Sequence, residues 1–428
     1  MDKLGELNTE YEIEIDKTFD LLKKLSPDDG RFAFNQVPIT TYYLPPVNEL
    51  AHLLGFDNPM LTNIKQVEKD YRVDIKIGRS SLYNLFGVGV GLRVLDKLKA
   101  WFKLLPLTVS NLKYKRAMYT ALRYSQIAPV SQACYWMSAV GGFKASQHYE
   151  TAFQHFDLMF NFVGERAKSE INLIRRFKKG LNGGSLETVS KAELWQQAIP
   201  LWENTKVAPE LMDSFNKLIQ HKTLTTATIE SIVAFRLEFY LELTSLLDLG
   251  TSIKSARDTQ ELTSKSGFIT RAVQHYLDRV ECTCCFGGLI VELKHLFKSK
   301  GYDLGYRKLA TFIIIDEQSD SSSGYKLKEK QYDRLKEWKN GVTKPSSKKL
   351  EQFFSNLSDY LDIEYSEIWL DFSRALLAWD KLKPKLISEL DFFSSDEVES
   401  VFCEVLANLH RYYQSNLQVY VENMQPSA

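Results

Sequence analysis

Cysteine, glycine and proline are all scarce: the 428-residue chain holds five cysteines, 21 glycines and 12 prolines. So few thiols exclude a disulfide scaffold, and without a CxxC…CxxC pair or an HxxxH spacing nothing points to structural zinc. Gly and Pro at this level exclude collagen. No uninterrupted apolar run reaches the roughly 20 residues of a membrane span. The nearest, residues 128–143, is broken by Ser131, Gln132 and Ser138. Excess charge is missing too, because Lys plus Arg and Asp plus Glu both total 54, which excludes a disordered polyelectrolyte. The start, Met1-Asp2-Lys3-Leu4-Gly5-Glu6, carries acidic residues and lacks an apolar signal core, so the cytoplasm is the expected compartment. What remains is a chain with 44% hydrophobic residues, long enough for several domains.

Most of it has helical periodicity. Thr9 and Glu12 form a capping box, followed by Tyr11, Ile15, Phe19, Leu22 and Leu25 at spacings of three and four. Residues 31–80 are less regular, interrupted by Pro38, Pro45 and Pro46, and the alternation over 71–77 predicts a short strand. Helix is predicted over 146–179 until Gly180, with another capping box at Ser190 and Glu193. Residues 229–249 are apolar almost all round, as in a helix buried on most sides, and are expected to form the spine of the large domain. A Ser-rich loop follows Asp316, and no repeat recurs at a period of 20–50 residues.

Global neutrality hides segregation. Between Asp96 and Glu150 there is no acidic residue, while Lys97, Lys99, Lys103, Lys113, Lys115, Arg116, Arg123 and Lys144 stand among Trp101, Phe102, Tyr114, Tyr119, Tyr124, Tyr135, Trp136 and Phe143. Cations neutralise phosphates and aromatic faces stack on bases, so this composition suits a nucleic-acid surface. A core of aromatics with cations turned to acidic helices explains the same pattern. A second basic window, 321–350, carries a net charge of about +6, and the 351–428 stretch inverts the sign to about −9.

Residues 286–372 hold the most informative pattern. A helix over 287–298 ends at Gly301, and Leu304 to Ala310 begins a second. Then come Leu335-Lys336-Glu337-Trp338-Lys339-Asn340-Gly341, the step Lys344-Pro345-Ser346, the stripe Leu350, Phe353, Phe354 and Leu357, and a last helix with Ile368 and Trp369. This order resembles the five-helix, lambda-repressor-like (Cro/Xre-type) helix-turn-helix family, in which the recognition helix ends in a Trp-x-x-Gly pattern and Pro-Ser begins the fourth helix. The local chemistry agrees: Trp338 would pack beneath the helix, Gly341 supplies a left-handed cap, and Pro345 suits the first turn of the next helix. The resemblance implies that Lys328, Lys330, Gln331, Arg334 and Lys336 face the major groove or its phosphates, with Lys339 and Lys344 beside them, and that Gln331 and Arg334 read base edges. One departure stands out. The turn between the second and third helices normally takes about four residues, whereas roughly 12–15, Ile315 to Lys326, intervene here.

The remaining chemistry is thin. Cys282, Cys284 and Cys285 read as buried thiols, with His275 and His295 the nearest histidines but at no paired ligand spacing. Phe86 to Gly91 lacks the spacing of a phosphate loop. His148 and His155 would be about 10.5 Å apart along a helix, too far for one metal ion, and Arg271 with His275 reads as structural. Ser394 and Glu397 cap a helix whose stripe, from Val398 to Tyr413, docks on the helix-turn-helix, the favoured arrangement, or pairs with a second copy.

The expectation is therefore a mainly α fold. It comprises a helical N-terminal domain over 1–280, a helix-turn-helix-like domain over 286–372 with an insertion at 315–326, and an acidic helical tail over 373–428. The expected function is sequence-specific binding of double-stranded DNA by a transcriptional regulator, with a mobile element or a defence locus as one setting. The alternatives are an interaction scaffold with a degenerate module and, more weakly, a nucleic-acid-processing enzyme. No catalytic residue, metal or cofactor is expected. The further partners expected are a second nucleic-acid surface at Lys113, Lys115, Arg116 and Arg123, a homodimer through the 394–417 helix, and a protein partner or effector on the N-terminal domain.

Overall fold

The structure, a computed structural model, describes residues 41–55, 71–85, 89–104, 132–144, 154–181, 189–221, 226–256, 259–264, 266–315 and 324–424, with scattered positions between 12 and 32 and at 68. The chain is mainly helical, as expected, and divides into two compact units, residues 1–52 with 56–223 and residues 53–55 with 224–428.

In the first unit, β1 (Arg31–Phe32) pairs antiparallel with β2 (Val90–Gly91), beside the helices α1 (Val47–Leu53), α2 (Arg79–Leu85) and α3 (Leu92–Leu104). The expected strand over 71–77 is corrected. Arg72 and Lys76 take left-handed backbone angles, φ 54° and 52°, which interrupt an extended ladder. The alternation serves burial instead: Ile75 and Ile77 join Ile15, Phe19, Leu95, Leu98 and Trp101 in one apolar cluster. The Trp101 indole N–H donates to the Val73 carbonyl at 2.8 Å, satisfying a group that a neighbouring strand would have paired.

Next come α4 (Ala133–Lys144), α5 (Asp157–Gly180), α6 (Lys191–Trp202) and α7 (Pro209–His221). The capping box at Ser190 and Glu193 is formed, and α5 runs to Gly180 as its sequence predicts. The proline-broken segment 41–46 lacks helical hydrogen bonds, so side chains supply them. Trp202 donates to the Thr41 carbonyl (3.3 Å), Arg166 to Tyr43 (2.7 Å) and Trp136 to Pro45 (2.7 Å).

The second unit is built on α8 (Thr226–Ser255), which is buried nearly all round between Ile229 and Leu249. It continues with α9 (Thr259–Ser264), α10 (Phe268–Asp278), α11 (Cys285–Ser299), α12 (Tyr306–Ala310), α13 (Gly324–Lys339), α14 (Ser347–Leu361), α15 (Ile368–Glu389), α16 (Ser395–Ala407) and α17 (Leu409–Met424). The expected domain limits are thus corrected at two places. The spine helix belongs with the 286–372 module rather than with the N-terminal part, and α15 runs through the expected 372/373 boundary to Glu389.

Two buried carboxylates fix this unit. Asp248, within α8, accepts the Ile269 and Thr270 backbone N–H groups at 3.0 and 2.8 Å, capping α10 from outside the helix. Asp380, within α15, does the same for α11 through Cys285 and Phe286 at 2.7 and 2.9 Å. Burial pushes both carboxyls up, and the N–H donors oppose that rise. Helices α10 and α11 then approach closely: a Cβ on Gly288 would fall 1.9 Å from the Ala272 carbonyl oxygen. The C-terminal stripe is buried within the chain, with Val398, Phe402, Val405, Leu409, Tyr412, Tyr413 and Leu417 all in the core and α16 and α17 packed on α8. Of the two arrangements the sequence allows for that stripe, the structure has docking in cis rather than pairing with a second copy.

Candidate nucleic-acid interface

Helices α11 to α15 cover, in order, the residues in which the five helices are expected. Its centre is Trp338, whose ring lies 6.4 Å from Phe286 and 6.1 Å from Phe353. Gly341 takes φ 68°, and the Val342 N–H reaches back to the Glu337 carbonyl at 2.9 Å, the closure that a left-handed glycine permits at a helix end. Ser346 is the cap of α14, accepting from the Lys349 N–H at 3.4 Å, so Pro345 lies buried just before the cap rather than in the first turn. Of the insertion, residues 316–323 lie outside the described set, and α13 begins at Gly324, so 324–326 belong to the helix.

The inward face of α13 is Gln331, Leu335 and Trp338, spaced by four and three. This corrects the expected role of Gln331. Its amide is buried and donates to the carbonyls of Ile313 (2.8 Å) and Thr311 (3.3 Å), while Asn356 donates to that of Phe312 (3.0 Å). The one-turn helix α12 leaves these carbonyls without helical partners, and the two amides cap them. Gln331 is a joint between helices, not a base reader.

The other expected contacts are spread around the helix. Arg334 pairs with Glu337 at 3.3 Å, and Lys336 pairs with Asp333 at 3.3 Å. Lys328 and Lys330 are exposed, and Lys344 donates to the Asp380 carbonyl at 3.1 Å. Lys328, Tyr332, Lys336 and Lys339 follow one another at spacings of four and three, so they share one flank of α13. On that flank the Lys336 ammonium stands 4.3 Å from the Tyr332 ring centre, and the Arg307 guanidinium of α12 stands 4.8 Å from it. Tyr306 likewise carries two cations, Lys339 of α13 and Lys294 of α11, each at 4.4 Å. A band of cations braced on two tyrosines therefore crosses three helices. Carboxylates are set into it: Glu329 pairs with Arg307 (2.9 Å), Glu281 with Lys294 (2.8 Å), and Asp333 with Lys336.

Beside the band lies a cluster that the spacing of its residues alone did not bring together. Glu292, nearly buried, accepts from Arg271 Nε at 2.7 Å and contacts His275 Nε2 at 3.1 Å, joining α10 to α11. The His295 ring packs edge-on against His275, with centroids 5.1 Å apart. Burial would raise the Glu292 carboxyl, but the His275 and Arg271 hydrogen bonds and the Arg271 charge hold it below the usual carboxylate range. Lys294 and Tyr306, both bonded to Glu281, lower that carboxyl as well. Arg271 and His275 are four apart and Glu292 and His295 three apart, which places each pair on one helix face; nothing in the spacing says that the two faces meet.

The thiols are structural. Cys282, Cys284 and Cys285 are buried, burial pushes Cys282 up to about 11, and the Cys284 sulfur caps α11 by accepting from the Gly287 N–H at 3.2 Å. Among the described residues, no three His, Cys, Asp or Glu side chains gather where they could hold a metal ion.

The second expected surface, Lys113, Lys115, Arg116 and Arg123, lies outside the described residues. Where the same basic window is described, three of its aromatics are core and its cations are engaged. Trp101, Phe102 and Trp136 are buried, Lys99 and Lys103 bind Asp16 at 2.8 and 2.7 Å, and Lys144 bonds Asn161 at 2.9 Å. No protein-family model, curated protein or solved structure matches the chain. Among the described residues, no helix is long and apolar enough to cross a membrane.

Proposed function

We propose that this protein binds duplex DNA through the α11–α15 module and acts as a transcriptional regulator. The observation that carries this reading is the band of Lys294, Arg307, Lys336 and Lys339 on Tyr306 and Tyr332, and the Trp338–Gly341 closure, which resembles the end of a recognition helix, supports it. Phosphate oxygens would exchange for the carboxylates that now hold these cations, releasing counterions from the DNA. The test is fluorescence anisotropy of a labelled duplex titrated with the full chain at about 50 and 200 mM salt. Binding that weakens steeply with salt is the expected result, and no binding at the lower salt would refute it.

A second reading, a protein-interaction scaffold, is favoured by one observation: Gln331 is turned inward and Arg334 is held by Glu337, so the helix presents few side chains to bases. That reading predicts a partner whose binding survives high salt and is lost when apolar surface of the module is altered.

A further inference from the structure

We infer that the module contacts the phosphate backbone of duplex DNA and reads no base sequence; this rests on the DNA-binding reading above. The α13 line opposite the buried face is Lys326, Glu329, Asp333 and Lys336, by spacings of three and four. Two of those four side chains are carboxylates, which the flanking phosphates of a groove repel. Of the side chains suited to bidentate base contacts, Gln331 is committed to two backbone carbonyls, and Arg334, paired with Glu337, stands two residues from Tyr332 and Lys336, on the other side of α13 from the cations. Cations instead concentrate to one side, on a band that runs from α13 across α12 to α11. A surface of that kind matches a line of phosphates rather than a base edge.

The tyrosines decide between duplex and single strand. Stacking an unpaired base needs an open aromatic face. Tyr306 and Tyr332 each carry two cations within 5 Å of the ring centre, so their faces are occupied by charge. The rings brace cations for phosphates. Because Asp333 holds Lys336 at 3.3 Å, with the Asp333 side chain 64% exposed, it competes with a phosphate for that cation. Removing its charge frees Lys336 whatever the DNA sequence.

The experiment is selection from a random duplex pool with the full chain, alongside the exposed variants Asp333→Asn and Arg334→Ala, with circular dichroism to confirm that both fold. The expected result is retention of duplex with no motif enriched, and an affinity in Asp333→Asn about two- to fivefold higher on every duplex tested. A motif that is enriched by the wild type and lost in Arg334→Ala would overturn the inference while leaving DNA binding standing. Displacement of the duplex by a lower concentration of single strand would also overturn it. Failure to retain any duplex at low salt would sink the DNA-binding reading itself.

Discussion

At the scale of single residues, carboxylates and amides decide the geometry. Asp380 caps α11 from a neighbouring helix, so Asp380→Ala leaves two buried N–H groups without an acceptor. We expect a loss of about 1–3 kcal/mol, read from the urea midpoint. Glu292 behaves differently, because its folded-state carboxyl lies below the ordinary value of about 4.3. Its stabilisation is complete above that unfolded value and disappears as pH falls through the lowered folded one. The stabilities of wild type and Glu292→Gln should therefore differ at neutral pH and converge as the pH falls through the lowered Glu292 value. A constant difference across that range would show that Glu292 acts through packing alone.

At the scale of elements, the helices were largely legible and their facing was not. The all-round apolar run 229–249, the capping pair Ser190 and Glu193, and Trp338 followed by Gly341 each have local causes that act within a few residues. Gln331 failed that local reading because its role depends on α12 being one turn long, which leaves carbonyls 18 and 20 residues away for it to cap. The 71–77 segment failed for a related reason: period two is the same for a paired strand and for an unpaired segment laid across a core. Gln331→Ala should thus lower stability by about 1–3 kcal/mol in a thermal or urea melt while leaving DNA affinity near wild type. A base-reading Gln331 would give the reverse pattern. The meeting of α10 and α11 at Arg271, His275, Glu292 and His295 was equally hidden, since it requires knowing which helices are neighbours.

At the scale of the molecule, charge segregation pointed to cationic surface but not to where the cations gather. The 321–350 window does contain the band's Lys336 and Lys339, yet Lys294 and Arg307 come from outside it, and Glu281, Glu329 and Asp333 temper the whole. The acidic C-terminal stretch is part of the second unit's core rather than an appendage. Deleting 394–428 would strip the partners of α8, and each large buried side chain contributes about 1.5–3 kcal/mol. The lost total is as large as the 5–15 kcal/mol that typically holds a domain folded. We expect loss of the cooperative melt of the second unit, not conversion of a folded dimer to a folded monomer on size exclusion.

The central claim is that the Lys294–Tyr306–Lys339 and Arg307–Tyr332–Lys336 sets meet phosphates. The most direct measurement is the slope of log affinity against log salt for one duplex, compared between wild type and a Lys336→Ala/Lys339→Ala double variant. Loss of two phosphate contacts should make the slope shallower by about 2 and weaken binding on every sequence alike. An unchanged slope in a folded double variant would contradict the account.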